Sequence, residues 1–169
     1  MMQWGRSTTG RLYGAMLALA AVVLLVDQLT KLWATSALSG GERIDVIPPI
    51  QFRLLYNPGA AFSIGAGATW IFTLAAAAAV VGILHIARRL ASTGWALTLG
   101  ALLGGAVSHL GDRLFREPGL ARGHVVDFID YGPFVGNVAD IVLFCGCASV
   151  MLLSLRGVEL AEAPSTESA

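Results

Sequence analysis

Four long apolar segments alternate with polar segments along the chain. They cover residues about 12–34, 69–87, 94–110 and 136–155, and each is close to the roughly 20 residues that a helix needs to cross the hydrocarbon core of a bilayer. Residues 54–87 and 90–111, which contain the second and third segments, include no Asp, Glu, Lys or Arg. The pattern therefore predicts four transmembrane helices.

The first apolar segment could also be a secretory signal, but its pattern favours a retained helix. The apolar region of such a signal spans about 7–15 residues before a small-residue cleavage site. Here the apolar positions continue through Leu32 and Trp33, and Asp27 and Lys31 interrupt them at helical spacing. We therefore interpret this segment as the first transmembrane helix.

The connections between the helices differ in character. Residues about 40–68 combine Gly and Pro turns with β-branched and aromatic positions that partly alternate, and they end in a loop that begins at Asn57. The predicted fold is thus an all-α membrane protein with a small extracytoplasmic β-sheet between helices 1 and 2. Residues 1–169 form one integral-membrane domain, in which the acidic tail, about 157–169, is predicted to be disordered.

Composition supports a membrane protein and excludes several functions. The chain is 56% hydrophobic and 13% charged, against about 25% charged residues in soluble domains. A net charge of +0 provides no basic field for nucleic acid, so nucleic-acid binding is not expected. The short cluster of Arg88 and Arg89 favours a topology with both termini in the cytoplasm.

Metal and serine chemistry are not expected either. Cys145 and Cys147 lie two residues apart in an apolar run, a spacing that points them in different directions on a helix. The three histidines form no ligand-spaced cluster, so we expect no metal and no cofactor. The serines at positions 36, 63 and 108 lack a plausible His and Asp partner set.

Acidic residues within apolar sequence are the main candidates for chemistry, because a charge at membrane depth costs about 2.5–3.5 kcal/mol on insertion scales. Asp27 can pair with Lys31 at i+4, which favours a structural role. Asp127 and Asp140 have no such partner, and the Gly and Pro residues between them allow the chain to reverse. Two carboxylates that share a proton can act as base and acid in peptide hydrolysis. Asp140 also fits a capping box with Asn137, and both interpretations can hold.

Five motifs occur in the order typical of one known family. They are DQLTK at 27–31, NPGAAFS at 57–63, GGA followed by LGDR within 104–113, VVDF at 125–128 and NVAD at 137–140. In these motifs the chain resembles the bacterial lipoprotein signal peptidases, also called signal peptidase II. The resemblance implies an aspartic endopeptidase of the inner membrane that removes signal peptides from diacylglyceryl-modified prolipoproteins, cutting before the lipidated Cys.

The resemblance also implies roles for individual residues. Asp127 and Asp140 match the catalytic dyad of the family. Other matching positions shape the site: Asp27, Lys31, Asn57, Gly59, Asp112, Arg113, Asn137 and Ala139. We add His109 as a further site-shaping candidate, although it does not match the family pattern. The implied partners are prolipoproteins, membrane lipid and globomycin-type cyclic peptide inhibitors, whose hydroxyl is expected to lie between the two carboxylates.

The chain departs from the family pattern at one place. After GGA the family usually has Leu-Gly-Asn, whereas this chain has Val107, Ser108 and His109. An imidazole titrates and an amide does not. The alternative function is therefore a weakened or silent paralogue that binds lipidated peptide or inhibitor. A proton-linked transporter that uses Asp27, Asp127 and Asp140 is a third hypothesis, which the absence of an internal repeat disfavours.

Overall fold

The computed structural model describes residues 4–59 and 68–161. In this part of the chain, four α-helices and four β-strands follow one another, with a short 3₁₀ turn, Ala87–Arg89, after the second helix. In chain order the elements are α1 (Trp4–Ala37), β1 (Ile44–Ile47), β2 (Ile50–Asn57), α2 (Thr69–Ile86), α3 (Thr93–Phe115), β3 (Val125–Asp130), β4 (Val135–Gly136) and α4 (Val138–Leu155).

Three of the described helices, α1, α2 and α4, are long and apolar enough to cross a membrane. Few of their apolar side chains are buried inside the protein; on α1, for example, Val22, Leu25 and Leu29 are each more than half exposed. An apolar face of this length suits contact with lipid and not with water. The predicted membrane fold is confirmed, while the fourth span remains a prediction that rests on α3.

Helix α3 packs against the other three helices, and glycines allow two of these contacts. A Cβ atom added to Gly104 would lie 2.6 Å from Val23 Cβ and 2.7 Å from the carbonyl oxygen of Ala20, both on α1. On the side of α4, a Cβ atom on Gly105 would lie 2.8 Å from Leu143 Cγ. Small residues let helix backbones approach closely in a membrane. Helix α3 is therefore the central helix of the bundle.

The sheet is antiparallel, with strand order β1-β2-β3-β4. The predicted strands between helices 1 and 2 are present, but the sheet also includes β3 and β4, which lie between α3 and α4. No strand was predicted there. The sequence of β3 gives no period-2 signal because five of its six side chains are buried. Trp33, Phe52 and Phe128 pack edge to face or tilted, with ring centroids 5.4–6.1 Å apart, and attach the sheet to α1.

Residues 157–161 pack against the connection between α2 and α3, although this part of the tail was predicted to be disordered. Trp95 Nε1 donates to the carbonyl oxygen of Val158 (2.7 Å), and the Ala91 amide donates to that of Leu160 (3.0 Å). The N-terminal half of α1 belongs to the same apolar core, through Met16. Both ends of the described chain therefore lie at one end of the bundle. The rest of the predicted tail, residues 162–169, lies outside the described residues.

The close contact between α1 and α3 predicts that Gly104→Ala destabilises the protein. The added methyl would meet the backbone of α1, and overpacking of this kind costs about 1–3 kcal/mol. Gly82→Ala on α2 is the matched control, since no atom lies within 4 Å of a Cβ atom at that position. Thermal unfolding in detergent checks this: the midpoint should fall for Gly104→Ala only. Equal midpoints for the two variants would contradict the packing described.

Candidate active site

The two acidic candidates lie on adjacent elements at the end of the bundle that carries the sheet. Asp127 is the third residue of β3, and Asp140 is in the first turn of α4. Between them the chain reverses through the turn at Gly132 (φ 94°), which only glycine adopts easily, and through β4. Strand β3 is thereby placed beside the start of α4, and both carboxyl groups line the same cavity.

Asn137 connects the two carboxyl groups. It is the N-cap of α4, and it forms a capping box in which its Oδ1 accepts from the Asp140 amide (3.1 Å) while Asp140 Oδ2 accepts from the Asn137 amide (2.9 Å). Its Nδ2 also donates to Asp127 Oδ1 (2.7 Å). A single side chain therefore caps the helix and fixes the position of Asp127 relative to Asp140.

Asp127 is almost completely buried, at 2% exposure. Its second oxygen, Oδ2, accepts from Asn57 Nδ2 (2.9 Å). Burial, together with the negative charge of Asp140, raises the pKa of Asp127 to about 6, although the amides of Asn57 and Asn137 and the charge of His109 lower it. The charge of one carboxyl group therefore acts on the other across the site.

Asp140 is more accessible than Asp127, because 41% of its side chain is exposed. Its Oδ1 lies 3.1 Å from Nε2 of His109, which reaches it from α3. It also lies at the N-terminus of a helix, where the peptide dipoles favour a negative charge. His109 therefore occupies a place beside Asp140 where a neutral imidazole can donate a hydrogen bond.

Arg113 holds the chain on the other side of Asp127. Its guanidinium donates to the carbonyl oxygens of Asn57 (3.3 Å), Pro58 (3.0 Å), Gly123 (3.2 Å) and Gly59. The Gly59 amide in turn donates to Asn57 Oδ1 (3.0 Å). These bonds orient the Asn57 amide towards Asp127. Asn57–Gly59 is therefore both a local turn and part of the site.

A buried charged cluster of Asp27, Lys31 and Asp112 lies behind the two carboxyl groups. Lys31 Nζ is 2.6 Å from Asp27 Oδ2 and 2.8 Å from Asp112 Oδ2, and all three side chains are at most 1% exposed. Asp27 Oδ1 accepts from the Ala139 amide (2.8 Å), and Asp112 Oδ2 accepts from the Val126 amide (3.4 Å). Ala139 and Val126 directly precede Asp140 and Asp127. The cluster thus holds the backbone beside each carboxyl group.

The cavity that these groups line has a volume of about 780 Å³ and is mostly apolar. Its apolar walls come from α2 and α4 and from the turn between β3 and β4. They include Phe72, Ala76, Ile141, Phe144, Phe134 and Tyr131.

Several residues of the site were not found from the sequence. Phe72 lines the cavity, with Arg113 5.6 Å above its ring, and no pattern in the sequence indicated this role. Gln28 and Arg116 bind Asp112, at 3.0 and 2.7 Å. The spacing of Arg116 four residues after Asp112 is a signal that could have been used, whereas no pattern indicated Gln28.

Fold and site together define an integral membrane enzyme with two carboxyl groups in an apolar cavity. The sequence profile of the family described as signal peptidase (SPase) II matches residues 19–156. The chain is 47% identical to the lipoprotein signal peptidase of Rhodococcus jostii (strain RHA1) over 143 residues, 83% of this chain and 72% of that protein. It is 42% identical to that of Leifsonia xyli subsp. xyli over 160 residues, 91% and 74% of the two chains.

Solved structures agree in fold. A bacterial membrane enzyme determined by the in meso method at 2.3 Å resolution superimposes with a TM-score of 0.75 at 24% identity, covering 89% of this chain and 95% of that chain. A second one, at 1.9 Å, gives a TM-score of 0.72 at 25% identity, with 85% and 94% covered. The chain belongs to the signal peptidase II family and is a membrane-bound protease.

The double role of Asn137 can be separated by substitution. Asn137→Ser keeps a good N-cap acceptor for the Asp140 amide but removes the donor to Asp127. Its unfolding midpoint should stay near wild type while proteolytic turnover falls by up to about tenfold, since a hydrogen bond between uncharged groups contributes about 0.5–1.5 kcal/mol. Asn137→Ala should lose both, with about 1 kcal/mol of stability lost from the cap. Full turnover by Asn137→Ser would show that the link to Asp127 is not needed.

Proposed function

We propose that this protein removes signal peptides from diacylglyceryl-modified prolipoproteins, cutting before the lipidated Cys, and that Asp127 and Asp140 are its catalytic dyad. The observation that carries the proposal is the convergence of two carboxyl groups, linked through Asn137, on one apolar cavity. The names of the relatives, lipoprotein signal peptidases, support the substrate class.

The proposed reaction uses water and no covalent intermediate. Asp140, ionised, accepts a proton from water as the water oxygen bonds to the scissile carbonyl carbon, and Asp127 donates its proton to the carbonyl oxygen. The tetrahedral intermediate then collapses. The C–N bond breaks, a proton from Asp140 passes to the leaving amine, and Asp127 recovers its proton from the hydroxyl.

The environments of the two carboxyl groups support this division of roles. Asp127 is buried with a pKa raised to about 6, so it keeps its proton to higher pH than an ordinary Asp. Asp140 is open to the cavity and accepts from a backbone amide at a helix N-terminus, which favours its ionised form. Asp140 therefore has access to water, and Asp127 supplies the proton.

The remaining site residues orient the dyad in this proposal. Asn57 and Asn137 hold Asp127, and His109 holds Asp140. The other members act on the backbone around these groups: Arg113 and Gly59 at the turn after β2, and Asp27, Lys31 and Asp112 through the amides of Ala139 and Val126.

The apolar walls suit a lipidated substrate. Phe72 and Ala76 on α2 face the same cavity as Ile141 and Phe144 on α4, so an apolar peptide segment or acyl chain would be removed from water and polar lipid there. Cyclic peptides of the globomycin type are proposed to inhibit by placing a hydroxyl between Asp127 and Asp140.

We also propose that both termini are cytoplasmic. Exposed arginines 11, 88, 89 and 156 lie on segments at the end of the bundle where Met16, Trp95 and Val158 meet. Short loops rich in Arg are retained in the cytoplasm. The dyad and the sheet then lie towards the outer face of the bacterial cytoplasmic membrane.

Removal of either proposed catalytic carboxyl group tests the function. Asp127→Asn and Asp140→Asn should each reduce cleavage of a diacylglyceryl prolipoprotein in detergent to background. A carboxamide cannot exchange the required proton, and general acid–base catalysis contributes about 10²–10⁴-fold per group. The measurement is release of the signal peptide on a gel, with a globomycin-type peptide as a second control.

Asp130→Asn is the matched control, because Asp130 is on the same strand but pairs with Arg53 and does not line the cavity. It should cleave at nearly the wild-type rate. Near wild-type cleavage by either dyad variant would overturn the assignment. A wild-type protein that binds the substrate and inhibitor without cleavage would instead identify a silent paralogue.

The environment of Asp127 predicts a specific pH dependence. Asp127 must carry a proton in order to donate it, and its pKa of about 6 lies above that of an ordinary Asp. Activity should therefore fall on the base side as pH rises through about 6. Because the charge of His109 lowers the pKa of Asp127, His109→Asn should move this base limb to higher pH, measured as kcat/KM against pH. Superimposable base limbs for the two proteins would exclude His109 from the chemistry.

A further inference from the structure

Ser108 is fully buried and forms two hydrogen bonds with residues of α1. Its hydroxyl donates to Asp27 Oδ2 (2.5 Å) and accepts from Gln28 Nε2 (2.8 Å). The two residues that it joins are adjacent in sequence but 80 and 81 residues away from it. Ser108 therefore fixes α3 against the charged cluster at one point.

The bond to Asp27 restricts the orientation of that carboxylate. Rotation of a carboxylate about its last bond is soft, and Lys31, the other partner of Asp27 Oδ2, is shared with Asp112. With Ser108 on Oδ2, the Oδ1 atom is directed at the amide of Ala139, which it binds at 2.8 Å. Ala139 directly precedes Asp140, so the hydroxyl acts on the start of α4 through Asp27.

Gln28 acts in the same way on the backbone next to Asp127. Its amide lies 3.0 Å from Asp112 Oδ1, and the second oxygen of Asp112 accepts from the amide of Val126, the residue before Asp127. Arg116 supports Gln28 Oε1 at 3.4 Å. Ser108 and Gln28 thus connect Asp27, which holds the backbone before Asp140, to Asp112, which holds the backbone before Asp127.

We propose that Ser108 and Gln28 form one positioning unit that sets the relative placement of Asp127 and Asp140 during proteolysis. Neither side chain lines the cavity, and neither contacts Asp127 or Asp140 in a described hydrogen bond. They act through Asp27 and Asp112, and therefore on the rate of the chemical step and not on substrate binding. The inference rests on the proposed protease function.

The test compares Ser108→Ala, Gln28→Met and the double variant in the cleavage assay. Each single substitution should lower kcat about tenfold and leave KM within about twofold, with the unfolding midpoint close to wild type. If the two residues act as one unit, the double variant should lose no more than the worse single variant, since coupled residues are not additive. Ser149→Ala on α4, which removes a hydroxyl that binds only the Cys145 carbonyl oxygen in the described structure, should retain wild-type kcat.

The possible results distinguish the positioning role of Ser108 and Gln28 from the proposed function itself. Unchanged kcat in both single variants, additive losses in the double variant, or an effect on KM alone would overturn the positioning unit while the proposed function stands. No cleavage by the wild-type protein would overturn the function and this inference with it. If Ser108→Ala fails to fold, the partly exposed Gln28 carries the test, and failure of both variants to fold would assign the pair to the fold and not to the chemistry.

Discussion

The ion pairs of Lys31 with Asp27 and Asp112 are the interaction on which the site depends. Removing one member of a buried ion pair leaves an unpaired charge and typically costs about 3–5 kcal/mol. In this protein the loss would extend further, because each aspartate uses an oxygen to hold a backbone amide next to a dyad carboxyl group. The cluster fastens α1, α3, β3 and the start of α4 together at one point. The geometry of the site is therefore set from within the bundle and not by the loops at its surface.

Strand β3 and the first turn of α4, which the cluster holds in place, carry two carboxyl groups with different environments. Asp127 is enclosed by two asparagine amides, whereas Asp140 faces the cavity beside His109. Asn137 belongs to both halves, because it caps the helix and binds Asp127. A site built on regular elements in this way holds two carboxyl groups close together, whereas flexible loops would let them separate.

Local features of the structure could be predicted from the sequence. Three of the four predicted spans are present as long apolar helices. The pairing of Asp27 with Lys31 four residues later and the capping box of Asn137 and Asp140 are present as well. All of these features depend on near neighbours in the sequence. Strand β3 was missed, because a strand buried on both faces loses the alternation that identifies it. Contacts such as Ser108 with Asp27 and Arg113 with the turn at Gly59 join residues 54–81 positions apart. A local sequence pattern cannot indicate contacts between residues so far apart in the chain, so these contacts become visible only in the folded structure.

In the proposed mechanism Asp127 and Asp140 share one site and one proton. Infrared difference spectroscopy of the Asp127 carboxyl stretch against pH, in wild type and in Asp140→Asn, tests this sharing, with Asp127→Asn used to assign the band. Since the negative charge of Asp140 raises the pKa of Asp127, the midpoint of this titration should fall when Asp140 is replaced. A midpoint that does not move in Asp140→Asn would contradict a shared site.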